Sequence, residues 1–225
     1  TTGWGLFVES MRPGAFAVAT EEDDLVQVTF GQGPAWADGL KVHLYTADHP
    51  LDVTKAYYET TAYPGLPASW ALGPWIWRDE VDGQAAVEQD LQTIRDLDLA
   101  APGYWIDRPY ASDVNSFDFA PGKYGDPAAM MAKATDLGFK MALWHTPYVD
   151  PDGDASRPLY DEAVEKGYFP PDTAMTAKWG PPLDFTNAEA VTWWQGLLSR
   201  YTDLGIVGYK LDYAEEVIPS TFGRR

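Results

Sequence analysis

The chain has 225 residues, 45% hydrophobic and 14% aromatic, with ten Trp, thirteen Tyr, no Cys and a net charge of −18 from 34 acidic and 16 basic residues. That length supports one sizeable core, or one core with a small module. The missing cysteines exclude disulfides, thiolate metal sites and cysteine nucleophiles, while the acidity weighs against nucleic acid and anionic membrane surfaces as partners.

In chain order, short apolar runs come first. Gly5–Val8, Ala15–Ala19, Leu25–Phe30 and Leu40–Tyr45 read as antiparallel strands, with turns at Asp23-Asp24 and Asp38-Gly39. Asp52 is a plausible N-cap for a short helix through Tyr57 and Tyr58. Four strands cannot close a sandwich, so residues 1–50 are expected to be the C-terminal part of a β-sandwich domain, with 51–65 as a linker helix.

From residue 66 onward strands and helices alternate. Trp70–Trp77, Gly103–Asp107, Phe139–Trp144 and Ile206–Leu211 read as buried strands. Helices are expected over 82–97, with Val87, Leu91, Ile94 and Leu97 at helical spacing, after Asp126-Pro127, and after Asn187 as a cap. The rhythm fits a doubly wound sheet or a barrel. No glycine-rich phosphate fingerprint is present, and polar residues gather at strand ends: Arg78-Asp79, Asp107-Arg108, His145 and Asp212. Both points favour an α/β fold with the first four strands of a (β/α)8 TIM barrel over residues 66–225.

The stretch from Asp150 to Asp184 is rich in Pro, Gly and Asp and weakly periodic, so it reads as a long loop, either a lid or decoration. No apolar run reaches the ~18 residues of a membrane span. No signal peptide is visible, and the chain starts at Thr1 without Met, so export stays open.

Asp212 ends the strand Gly208-Tyr-Lys-Leu, where a rigid element would hold a carboxylate at the barrel mouth. That placement suits nucleophilic attack, and a salt bridge at a strand end fits it equally well. Lys210 lies two residues earlier, on the same face, where an ammonium would favour the ionised carboxylate. Retaining glycosidases use two carboxyls about 5–5.5 Å apart. Asp107 is the next best-placed carboxylate, as that partner or as a ligand for sugar hydroxyls. Glu215 could orient the loop or be solvated, and Glu216 reads as solvated. His43, His49 and His145 are too scattered for a metal pattern, and His145 could face either pocket or core.

These residues resemble glycoside hydrolase family 31, the family of α-glucosidases and α-xylosidases. Leu66-Pro-Ala-Ser-Trp-Ala-Leu-Gly-Pro-Trp75, Tyr104-Trp-Ile-Asp107, Gly138–Tyr148, Leu183-Asp-Phe-Thr-Asn187 and Tyr209-Lys-Leu-Asp-Tyr-Ala-Glu215 are similar to its motifs, in order. The resemblance implies Asp212 as the nucleophile, Asp107 as a binder of sugar hydroxyls, and Trp144, Lys210 and Tyr213 near the sugar. It implies a carbohydrate substrate and no cofactor. Pro109 and Ala214 depart from family patterns, at a second aspartate and at a glycine.

The resemblance also implies that the general acid/base and further strands lie outside this chain, so the 225 residues alone are expected to be inactive. The expected function is retaining hydrolysis of α-linked sugars. The alternatives are a non-catalytic carbohydrate-binding relative and a different barrel enzyme using Asp212 and Glu215 for a divalent metal.

Overall fold

The structure, a computed structural model, describes residues 3–10, 14–31, 39–80, 82–170, 173–175, 179–213 and 217–219. The chain divides into two compact units, Thr1–Leu66 and Pro67–Arg225.

In the first unit, β1 (Gly3–Glu9) pairs antiparallel with β4 (Lys41–Ala47), and β2 (Gly14–Val18) with β3 (Val26–Phe30). The Asp23-Asp24 turn joins β2 to β3 as expected, whereas Asp38 lies outside the described residues. Helix α1 (Pro50–Thr60) covers one face of the β1–β4 ribbon, with Tyr57 edge-on to Phe7 and Tyr45. The opposite face presents Trp4, Val42 and Leu44, each about half exposed or more. The helix starts earlier than the sequence suggested. His49 is the cap, its Nδ1 accepting from the Leu51 N–H at 3.2 Å, and Asp52 falls in the first turn. Pro50 explains the shift: its fixed φ suits the first helical position, and that position needs no N–H donor.

The second unit is built on four parallel strands: β5 (Trp75–Arg78), β6 (Gly103–Ile106), β7 (Lys140–His145) and β9 (Ile206–Leu211), adjacent in the order β5-β6-β7-β9. Helices α2 (Gln84–Asp96), α3 (Pro127–Asp136) and α5 (Ala188–Thr202) connect them. Asp126 and Asn187 cap α3 and α5 through backbone N–H groups, as their positions predicted. The expected strand over Trp70–Trp77 is shorter. Residues Ser69–Leu72 form a 3-10 turn, and the strand begins only after Gly73-Pro74. Pro74 has no N–H to give a ladder, which moves the strand start past it.

The region 150–184 is also more ordered than expected. It holds α4 (Arg157–Glu165) and β8 (Thr173–Met175), which pairs antiparallel with β10 (Val217–Pro219). Pro158 sits in the first turn of α4, where it is tolerated, so the proline that suggested a loop opens a helix instead.

The core lies between sheet and helices. Val87, Leu91 and Ile94 of α2, Met130 and Ala134 of α3, and Trp194 and Leu197 of α5 meet the outward side chains Tyr104, Ile106, Met141, Leu143 and Ile206. Full burial of a side chain such as Leu143 is worth about 1.5–3 kcal/mol. Gly103 is required on the other face: a Cβ there would fall 2.2 Å from the Trp75 ring, which lies across the start of β6.

One irregularity decides what β9 presents. Ile206 pairs with Met141 and Gly208 with Ala142, so Val207 is an extra residue between two rungs. Without it, strict alternation would put Lys210 on the same helix-facing side as Ile206. The bulge resets the parity and turns Gly208, Lys210 and Asp212 to the inner face.

Candidate active site

The inner face of the sheet collects indoles and charged groups at the C-terminal ends of the strands. Asp212 follows β9 directly, and its N–H donates to the His145 carbonyl at 2.9 Å, which continues the ladder one step past the strand. Its Oδ2 accepts from Trp144 Nε1 at 2.9 Å and lies 3.1 Å from Lys210 Nζ. Its Oδ1 accepts from the Tyr213 N–H at 3.1 Å.

Burial pulls the Asp212 carboxyl upward, but the Trp144 indole, the Lys210 ammonium and the Tyr213 N–H outweigh it and hold the group below the usual carboxylate range. Burial likewise pulls Lys210 downward, and hydrogen bonding and attraction from Asp212 and Asp107 outweigh that too, raising it. The pair is fixed in its charged form.

Asp107 sits beside it, on the turn out of β6, with a side chain 5% exposed against 33% for Asp212. Its Oδ2 accepts from Trp77 Nε1 at 2.9 Å, Trp105 Nε1 at 3.3 Å and Lys210 Nζ at 3.3 Å, and its Oδ1 accepts from the Arg108 N–H at 3.0 Å. Lys210 therefore bridges the two carboxylates. The buried one is held by four donors, and the more open one keeps an accessible edge.

Tyr213 adopts a left-handed backbone, φ 62°, which costs a non-glycine residue roughly 1–2 kcal/mol. Its carbonyl is tied by the Tyr148 hydroxyl, and its ring packs edge-on to Trp179 at 4.5 Å and to Trp144 at 6.3 Å. Trp144 is thereby fixed on both sides. Below it, Asn115 Nδ2 ties the loop after β6 to the Thr146 and Tyr148 carbonyls after β7. A cavity of about 250 Å³ opens against the same Trp144 ring, with Arg108, Asp113, Asn115, Asp150 and Trp179 among its walls.

All five site residues singled out in the sequence, Asp212, Lys210, Asp107, Trp144 and Tyr213, are brought together here. Glu215 and Glu216 lie outside the described residues. His145 is a core residue. It is 1% exposed, caged by Phe117, Trp194 and Tyr209, and neither ring nitrogen has a hydrogen-bond partner among the described residues. Burial pushes it down to about 3. Among the described residues no group of three or more His, Asp and Glu side chains is placed to hold a metal ion.

Sequence reasoning gave Trp77 and Trp105 no role, and noted Arg108 only as a polar residue at a strand end. The signal was present for the indoles: Trp105 stands two residues before Asp107, on the same strand face, and Trp77 is its cross-strand partner.

Fold and site together define a barrel-type α/β domain with a carboxylate–lysine cluster at its strand ends. Residues 64–224 match the family described as Glycosyl hydrolases family 31 TIM-barrel domain, and the chain belongs to that family. The four-stranded parallel sheet is accordingly part of a TIM barrel. An alpha-xylosidase from Emericella nidulans is 25% identical over 228 residues, covering 96% of this chain and 28% of that protein. An isomaltosyltransferase from Sporosarcina globispora is 26% identical over 251 residues, covering 96% and 23%. The solved structure of a cycloalternan-degrading enzyme from Trueperella pyogenes in complex with covalent intermediate superposes with a TM-score of 0.74 at 19% identity, covering 97% of this chain and 34% of that one. The chain thus spans between about a quarter and a third of the length of these relatives.

Proposed function

We propose that this chain carries the nucleophile half of a retaining α-glycosidase site, with Asp212 as the nucleophile. The observation that carries the reading is the charge state and aim of Asp212. It is an ionised, partly open carboxylate on a rigid strand end, steadied on Oδ2 by Trp144 and Lys210 and on Oδ1 by a backbone N–H. In the first step one of its oxygens bonds to the anomeric carbon as the bond to the leaving oxygen breaks. A second carboxylic acid gives that oxygen its proton, then draws a proton from the water that cleaves the glycosyl ester and restores Asp212. The covalent intermediate in the Trueperella pyogenes structure is in keeping with two steps.

Asp107 suits the role of a fixed acceptor for sugar hydroxyls, because four donors already hold its oxygens in place. Trp144, Lys210 and Tyr213 line the same sugar position. The proton-donating carboxyl is assigned to barrel strands beyond these four, so the 225 residues alone are expected to be inactive. The first unit is assigned to the tail of a β-sandwich, residues 1–50, followed by a linker over 51–65 that holds most of α1. The apolar face of the β1–β4 ribbon opposite α1 supports this, because such a face calls for a second sheet.

The test is the stereochemistry of turnover by the native, full-length protein. Proton NMR of the first product released from an activated α-xyloside or α-glucoside should show the α-anomer before mutarotation. A β-anomer as first product would overturn the double displacement. Binding of these glycosides without turnover would favour a non-catalytic relative.

A further inference from the structure

We propose that Arg108 makes this site select sugars bearing an oxyanion, a carboxylate or a phosphate, which enters the cavity walled by Arg108, Trp144 and Trp179. The proposal rests on the reading of Asp212 as the group that meets the anomeric carbon, and it adds what the far side of the sugar must carry.

Three observations lead to it. Arg108 lines the cavity of about 250 Å³ that shares the Trp144 ring with Asp212. Trp144 is the residue common to both places, so a sugar held at Asp212 that reaches past Trp144 would meet the guanidinium. Second, the guanidinium is held by aromatic faces alone, 5.4 Å from the Trp179 ring centre and 5.9 Å from that of Trp144. Arg108 is partly buried, and among the described residues its side chain meets no hydrogen-bond acceptor, whereas Arg95 is tied to three carbonyls, and Lys133 and Lys210 have carboxylates. In a chain with 34 acidic and 16 basic residues, an arginine without an acid partner is a feature of its surroundings and not of supply.

Third, the two acids in the cavity wall are turned to the backbone. Asp113 Oδ2 accepts from the Ala155 and Ser156 N–H groups, and Asp150 Oδ1 from the Asp152 N–H. The forked donor set of a guanidinium matches two oxygens of a carboxylate or phosphate, and the neighbouring indole rings leave that fork free of a competing acceptor. The net charge of −18 opposes an anion; salt screens its distant part beyond about 10 Å, while Asp113 and Asp150 oppose an anion within the cavity and leave the Arg108 fork as the attracting group.

The experiment is calorimetric binding to the full-length protein of D-glucuronate, D-glucose 6-phosphate and D-glucose, repeated with Arg108→Gln and Arg108→Lys. At least one of the two anions should bind tenfold or more tightly than glucose, and which one does so separates a carboxylate from a phosphate. The preference should disappear in Arg108→Gln, return in part in Arg108→Lys, and weaken as NaCl is raised. Glucose binding as tightly as both anions, absence of binding by all three, or an unchanged preference in Arg108→Gln would each overturn the proposal. A failure of the nucleophile reading is distinguishable: the anion preference would persist while Asp212 takes no covalent label from an activated fluoroglycoside.

Discussion

The two faces of the parallel sheet hold neighbouring residues in opposite roles. Trp144 and His145 are consecutive, both nearly inaccessible, and both aromatic. Trp144 turns inward, donates to Asp212 and walls a cavity, while His145 turns outward into Phe117, Trp194 and Tyr209 and bonds to nothing described. Along each strand the same alternation separates stability from chemistry. Tyr104, Ile106, Met141 and Leu143 fill the helix side, while Trp105, Asp107, Lys210 and Asp212 meet on the other. Burial alone therefore does not mark the site. What marks it is a polar group that finds charged or indole partners across strands.

If the faces are separate in this way, substitutions on one should change rate and on the other stability. Asp212→Asn keeps the shape and removes the nucleophile. In the native, full-length protein kcat should fall roughly 10⁴-fold, with the thermal midpoint nearly unchanged. A midpoint drop that accounts for the lost activity would blur the two faces. Leu143→Ala on the opposite face should do the reverse, costing about 2–5 kcal/mol in denaturant unfolding while the folded fraction keeps its KM.

Lys210→Met is the sharper probe of the inner face. Lys210 is among the groups that hold Asp212 low, so its loss should raise the Asp212 carboxyl and move the acid limb of kcat/KM to higher pH. The rate at the optimum should fall roughly 10–100-fold, the scale of a hydrogen bond to a charged group. An acid limb that stays in place would mean that Lys210 does not set the charge of Asp212.

Near neutral pH the smallest effect belongs to His145. Its folded value of about 3 lies below the ordinary ~6.5, so the unfolded chain binds the proton more readily between those limits. The neutral side chain's stabilisation is present above about pH 6.5 and is lost as pH falls toward 3. His145→Phe should flatten acid destabilisation in that window, by up to about 1.4 kcal/mol per pH unit, and leave the rate profile alone.

Much of this was legible in the sequence because strand ends and two-residue alternation survive without an alignment. Lys210 with Asp212, and Asp107 two residues after Trp105, could be placed on shared faces by parity. Two features escaped for physical reasons. The Val207 bulge resets the parity of β9, and nothing in Ile206-Val-Gly-Tyr marks where a rung is skipped. The surroundings of Arg108 depend on Trp179, which is more than seventy residues distant in the chain, and periodicity carries no information about such contacts. The helix at Arg157–Glu165 was hidden by the prolines and aspartates around its start, because Pro158 in its first turn looks like loop composition.

The central claim is that Asp212 forms the covalent bond. The most direct measurement is to inactivate the native protein with a 5-fluoro-α-glycosyl fluoride and map the label by mass spectrometry of peptides. One glycosyl adduct is expected, on Asp212, lost on release of the sugar as activity returns. A stoichiometric adduct on any other carboxylate, with Asp212 unmodified, would contradict it.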